Sequence, residues 1–109
     1  MAELTAQEIT LEGTQLSFTV ASSEDTFKND GKRKLFLKNT DSTSHDVTIV
    51  AQKKCNHGFL HDQTISVPAS SEVVVSNIEN GRFNDENGMV HLTYGGNEAM
   101  FEVAVTKDY

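Results

Sequence analysis

The 109-residue chain has one cysteine, one proline and no tryptophan. With Cys55 alone, no internal disulfide can form, as fits a protein made in a reducing cytosol. No apolar run approaches the roughly 20 residues needed to span a bilayer. The opening MAELTAQEIT has neither a basic stretch nor an apolar block, so no signal peptide is expected. Cations are scarce too: nine Lys and Arg against sixteen Asp and Glu give a formal charge of −7. Nucleic-acid binding rests on neutralising phosphates with Lys and Arg. Neither nucleic acid nor membrane is therefore an expected partner. The one basic cluster, Lys32-Arg33-Lys34, reads as the solvated flank of a hairpin.

What is present is period-two alternation. Leu16, Phe18 and Val20 share one face of LSFTV, and Leu35 and Leu37 share one face of KLFLKN. Val47, Ile49 and Ala51 alternate with Asp46, Thr48 and Val50, and TISV offers Ile65 and Val67. Val73 to Val75 form a shorter, continuously apolar run. Val90, Leu92 and Tyr94 make a further set, and Ala99, Phe101, Val103 and Val105 close the chain. Turn chemistry bounds each run: Asn29-Asp30-Gly31, Asn39 to Ser44, Pro68 to Ser71, Asn87-Gly88 and Gly95-Gly96-Asn97. About seven short strands at this spacing predict an all-β antiparallel sandwich over residues 13–109. Gly95-Gly96-Asn97, between two strong strands, is the strongest hairpin signal.

Residues 1–12 read as an arm. Thr5-x-x-Glu8 matches a capping box, while the β-branched EITL speaks against a long helix. A short helical turn and an added strand both fit, with Leu4, Ile9 and Leu11 seeking an apolar partner. Phe27-Lys28-Asn29-Asp30-Gly31 is echoed by Phe83-Asn84-Asp85-Glu86-Asn87-Gly88, which reads as shared turn grammar with an aromatic plugging the sandwich end.

Reactive side chains concentrate in QKKCNHGFLHD, residues 52–62. Cys55, His57 and His61 are zinc-type donors, and Asp62 would make a fourth. The spacing C-x-H-x3-H lacks the second close pair that structural sites use. The stretch reads instead as an inter-sheet crossover with Phe59 and Leu60 tucked under the sandwich and no metal bound. Its histidines titrate near neutrality and would tune a contact with pH. A Cys–His nucleophile needs an orienting group and an oxyanion hole, normally at a helix N-terminus, and no confident helix is predicted. No phosphate loop, dinucleotide fingerprint or nucleophile elbow occurs. Glu24-Asp25 and Asp85-Glu86 read as solvated turn carboxylates, and Asp85-Glu86-Asn87-Gly88 lacks the rest of a calcium loop.

The order Asn29-Asp30-Gly31, KLFLKNT, DVTI, CNHGFLHD, TISVPA, then Phe83-Asn84-Asp85 and GMVHLTYGG, suggests a family. It resembles the small virion proteins encoded beside the major capsid gene of tailed bacteriophages. These are head decoration, or cementing, proteins with an immunoglobulin-like β-sandwich. The likeness covers roughly residues 14–106, and its most specific parts are NDG-x3-LFLKN and HGFLHD-x4-VPA. The chain departs from it at Asn77 to Arg82, where a Gly-Pro turn is common, and in its longer arm. The resemblance implies a non-enzymatic protein without cofactor, made in the host cytoplasm and added to the head exterior. Its partner would be the major capsid protein, and it would also meet its own copies, as in a trimer. Expected contact residues are Leu4, Ile9 and Leu11 on the arm, and His57, Phe59 and Leu60 on the long connection. Two alternatives remain open: another head-tail structural protein, and, from a different class, an immunoglobulin-like module recognising a glycan or cell-surface ligand.

Overall fold

The computed structural model describes residues 2–10, 12–30, 32–52, 62–76, 78 and 80–108, with the side chains of Ala2, Asn80 and Asp108 not described. Ten strands lie among them: β1 (Ala2–Glu3), β2 (Ala6–Ile9), β3 (Thr19–Val20), β4 (Glu24–Lys28) and β5 (Lys34–Asn39), then β6 (His45–Val50), β7 (Gln63–Val67), β8 (Glu72–Val75), β9 (Met89–Thr93) and β10 (Phe101–Asp108). Among the described residues, helical structure is limited to one turn, α1 (Asn80–Phe83), and a 3-10 turn at Glu98–Met100.

The pairing has a simple logic. β3 pairs with β10, β4 with β9, β5 with β8 and β6 with β7, all antiparallel. The chain from Thr19 onward is thus one long nested ribbon whose apex is the connection between β6 and β7. Rolling that ribbon adds two further pairings, β5 with β10 and β6 with β9. One sheet then runs β4-β9-β6-β7, and the other places β3, β10, β5 and β8 side by side. This double Greek-key order is that of a jelly roll. An immunoglobulin-type sandwich instead keeps two or three consecutive strand pairs as hairpin neighbours. Among the described strands, β6 and β7 alone are both consecutive and paired.

Three expectations change as a result. Gly95-Gly96 makes a turn, with both glycines at positive φ, but β9 and β10 lie in different sheets, so it is a crossing and not a hairpin. β6 and β7, on either side of residues 52–62, are antiparallel neighbours in one sheet, so the expected crossover between sheets does not stand between them. Finally, the sandwich is not purely antiparallel. The arm forms two short parallel edge strands, β1 along β4 and β2 along β10. It leaves one sheet and joins the other, crossing the seam at Leu4 and Thr5.

The core lies between the sheets. Phe27, Leu35, Leu37, Val47, Val67, Val90, Leu92, Phe101 and Val105 have no exposed surface. Each contributes on the order of 1.5–3 kcal/mol by leaving water. β5, β6, β9 and the inward residues of β10 follow the expected alternation, with Ala99 exposed as the exception. LSFTV does not: its only ladder residues are Thr19 and Val20, and both are exposed. Strand β4 has no counterpart among the seven expected strands. Its sequence EDTFK carries one large apolar residue, yet Asp25, Thr26 and Phe27 are all buried.

Candidate functional site

The arm places Leu4 inside the molecule. It is 9% exposed, belongs to the core cluster, and its N–H donates to the Thr26 carbonyl at 2.7 Å. Ile9 is half-buried on β2 opposite Asp108. Leu11, His57, Phe59 and Leu60 lie outside the described residues, as do Cys55 and His61. The flanks of the connection between β6 and β7 are described. Asp62 Oδ1 accepts the Ala51 N–H at 2.8 Å, and the Gln52 N–H donates to the Arg82 carbonyl at 2.9 Å.

Two buried polar centres organise the interior. Asp25, 1% exposed, accepts the Ser22 hydroxyl at 2.6 Å, the Ser22 N–H at 3.2 Å and the Tyr94 hydroxyl at 2.7 Å. Burial and the neighbouring carboxylate push the Tyr94 phenol up, so it stays protonated and keeps donating. Asp25 is therefore an interior anchor between β4 and the β9–β10 crossing, not the solvated turn carboxylate the sequence suggested. Asn39, also 1% exposed, donates to the carbonyls of Thr43 at 2.9 Å and Val67 at 3.2 Å. It ties β5 to the end of β7.

The titratable clusters are clamps. His91 on β9 turns Nε2 to Asp85 at 2.7 Å and Nδ1 to Glu24 at 3.1 Å. An imidazole facing two carboxylates satisfies both only when both nitrogens carry protons. The hydrogen bond with Asp85 is the main cause that raises the His91 pKa. The same bond, helped by the Met89 and Asn87 N–H groups, lowers that of Asp85. Asp85 thus closes its turn around its own backbone, which differs from the solvated carboxylate expected. His45 and Asp41 form a second pair at 2.7 Å, which lowers the Asp41 pKa. Among the described residues, no group of three or more His, Cys, Asp or Glu is placed to hold a metal ion. The two echoed turns meet: the Asn29 amide donates to Asn84 Oδ1 at 2.9 Å, and the Asn84 amide donates to the Asn29 carbonyl at 2.8 Å. Phe27 and Phe83 beside them are both buried.

The outer surface carries an edge strand and exposed apolar side chains that motif reading passed over. Among the described residues, β8 is the last strand of its sheet, and one side of its backbone ladder has no partner strand. Val74, at its centre, is 52% exposed. In register beside it on the outward face stands Phe36 of β5, half-buried. Two further exposed apolar side chains, Val20 (62%) and Met100 (40%), lie where β3 meets the 3-10 turn, beyond the other side of that sheet. The signal in the sequence was the unbroken run EVVVS, which lacks the lysine or proline that usually blunts an edge.

No family model, no curated protein and no solved structure matches this chain.

Proposed function

We propose that this chain is a non-enzymatic virion protein that adheres to the outer surface of an assembled phage head and stabilises it. The observation that carries the reading is the open β8 edge, with Val74 exposed at its centre beside Phe36. A strand from a neighbouring protein can extend such an edge, with backbone hydrogen bonds giving affinity and alternate side chains giving specificity. The resemblance to decoration proteins rests on segments that build this framework. LFLKN is the strand beside β8, and the end of HGFLHD-x4-VPA is β7 and the turn leading into β8. Jelly rolls serve in viral shells and in lectins alike, so the fold by itself does not choose a function.

The mechanism is thermodynamic linkage. A protein that binds only the mature lattice stabilises it by mass action. Modest contacts suffice if each subunit meets two or three capsid proteins or its own copies, because the second contact forms at high effective concentration. A stable joint of this kind buries at least roughly 1,000 Å² in total. The acidic surface keeps the free protein soluble before it docks. The arm is a weaker candidate for the docking element than the edge, because Leu4 is committed to the core. The test is co-sedimentation with expanded capsids and with free capsid protein. Saturable binding to particles alone supports the reading, and no binding to particles refutes it.

A further inference from the structure

A second site lies where the arm crosses between the sheets. A cavity of about 170 Å³ opens there, lined by Lys28, Arg33, Lys107 and Glu3 together with Leu4 and its neighbours on the arm. In a chain with nine cations and a net charge of −7, three cations around one small cavity is a concentrated positive field. Lys107 continues the two-residue register that turns Phe101, Val103 and Val105 to the core. At the end of β10 that register delivers an ammonium to the seam where an aliphatic group would otherwise stand. The Arg33 side chain is only 17% exposed. Its Nη1 meets Asp30 at 3.2 Å, while its Nε is buried without an acceptor. Among the described residues, neither Lys28 nor Lys107 takes part in an ion pair.

We propose that this cavity binds a compact oxyanion of the phosphate type. The cavity is lined by three cations and one carboxylate, Glu3; Asp30 takes part of the Arg33 guanidinium and Glu8 stands in register with Lys107, so the charge left without an ion-pair partner among the described residues is that of Lys28 and the buried Nε side of Arg33. A singly charged carboxylate ligand neutralises less of it than a phosphate. A phosphate also has acceptor oxygens in several directions, matching two ammonium groups and a guanidinium fork. The volume holds such a group together with ordered water. Because the cavity walls come from the arm, β4, β5's leading residues and β10, the bound anion would pin the arm to both sheets.

The probe is inorganic phosphate, titrated at constant ionic strength while amide resonances are followed by NMR, with sulfate and acetate as comparisons. The expected result is saturable shifts around Thr5, Lys28, Arg33 and Lys107 with phosphate and sulfate, and much weaker ones with acetate. Lys107→Met and Arg33→Gln each weaken binding about tenfold, the effect of losing one charge-assisted hydrogen bond. Lys28→Gln, at an exposed position, does the same without touching the core and covers the case in which the other variants unfold. Adenosine monophosphate distinguishes the sources: binding as tight as phosphate points to an esterified phosphate, weaker binding to the free ion, and both support the site. Linear shifts that do not saturate, or affinities unchanged in every folded variant, overturn the proposal.

Discussion

Replacing Tyr94 with phenylalanine removes one oxygen and leaves the ring. The ring is 1% exposed and packs against Phe101 at a centroid distance of 5.5 Å, so little cavity is created. What is lost is the hydroxyl that donates to Asp25 at 2.7 Å. Asp25 keeps only its two contacts with Ser22 and remains 1% exposed, where water does not readily replace the missing donor. A hydrogen bond to a charged group contributes about 1.5–3 kcal/mol, and an interior acceptor left short of donors costs a similar amount. Tyr94→Phe should therefore destabilise by about 2 kcal/mol, which for a domain of this size lowers the melting temperature by roughly 10 °C. Calorimetry or urea unfolding measures this directly. A cycle with Asp25→Asn isolates the pair, and the expected coupling is at least about 1 kcal/mol. A melting temperature within about 2 °C of the parent, or a coupling near zero, would show that the interior anchor is misassigned.

The His91 clamp gives stability a bounded pH window. The folded imidazole has a raised pKa, so its contribution is full below the ordinary value near 6.5 and fades as pH rises through the folded value. Asp85 is lowered, so its contribution is present above the ordinary value near 3.8 and fades as pH falls through the folded value. Urea unfolding from pH 4 to 9 should show that alkaline decline, and His91→Gln should flatten it; an unchanged profile would contradict the clamp. Leu4→Ala should cost about 2–3 kcal/mol, since the side chain sits in the core, whereas a free arm would tolerate it without loss. Gly95→Ala should cost about 1–2 kcal/mol from backbone strain alone, because φ is +62° and a Cβ there meets nothing within 4 Å. Equal stability of that variant would argue against the left-handed turn between the sheets.

Local alternation was legible because it is a local property. Leu35 and Leu37, Val47 and Ile49, and Val90, Leu92 and Tyr94 each declare a buried face within a few residues. Strand β4 was hidden because its interior is partly polar: besides the local Ser22 donors, the burial of Asp25 relies on the Tyr94 hydroxyl, 69 residues later. The turn at Gly95-Gly96 was visible, but its role as a crossing depends on how the whole ribbon rolls. Likewise, the His91 clamp joins Asp85, six residues before it, to Glu24, which β4 brings from 67 residues away. The arm was legible as an apolar segment in need of a partner. Its division between two sheets follows from the edges that β4 and β10 leave open, which no local pattern encodes. The basic run Lys32-Arg33-Lys34 read as a solvated flank because Lys28 and Lys107 join Arg33 only in three dimensions.

The proposal that this protein works by adhesion through the open edge of β8 is tested most directly by hydrogen–deuterium exchange on protein bound to expanded capsids. Amides of Glu72 to Ser76 should exchange markedly more slowly in the bound state, and Val74→Glu should abolish both that protection and particle binding. Unchanged exchange along this strand in fully occupied particles would contradict the account.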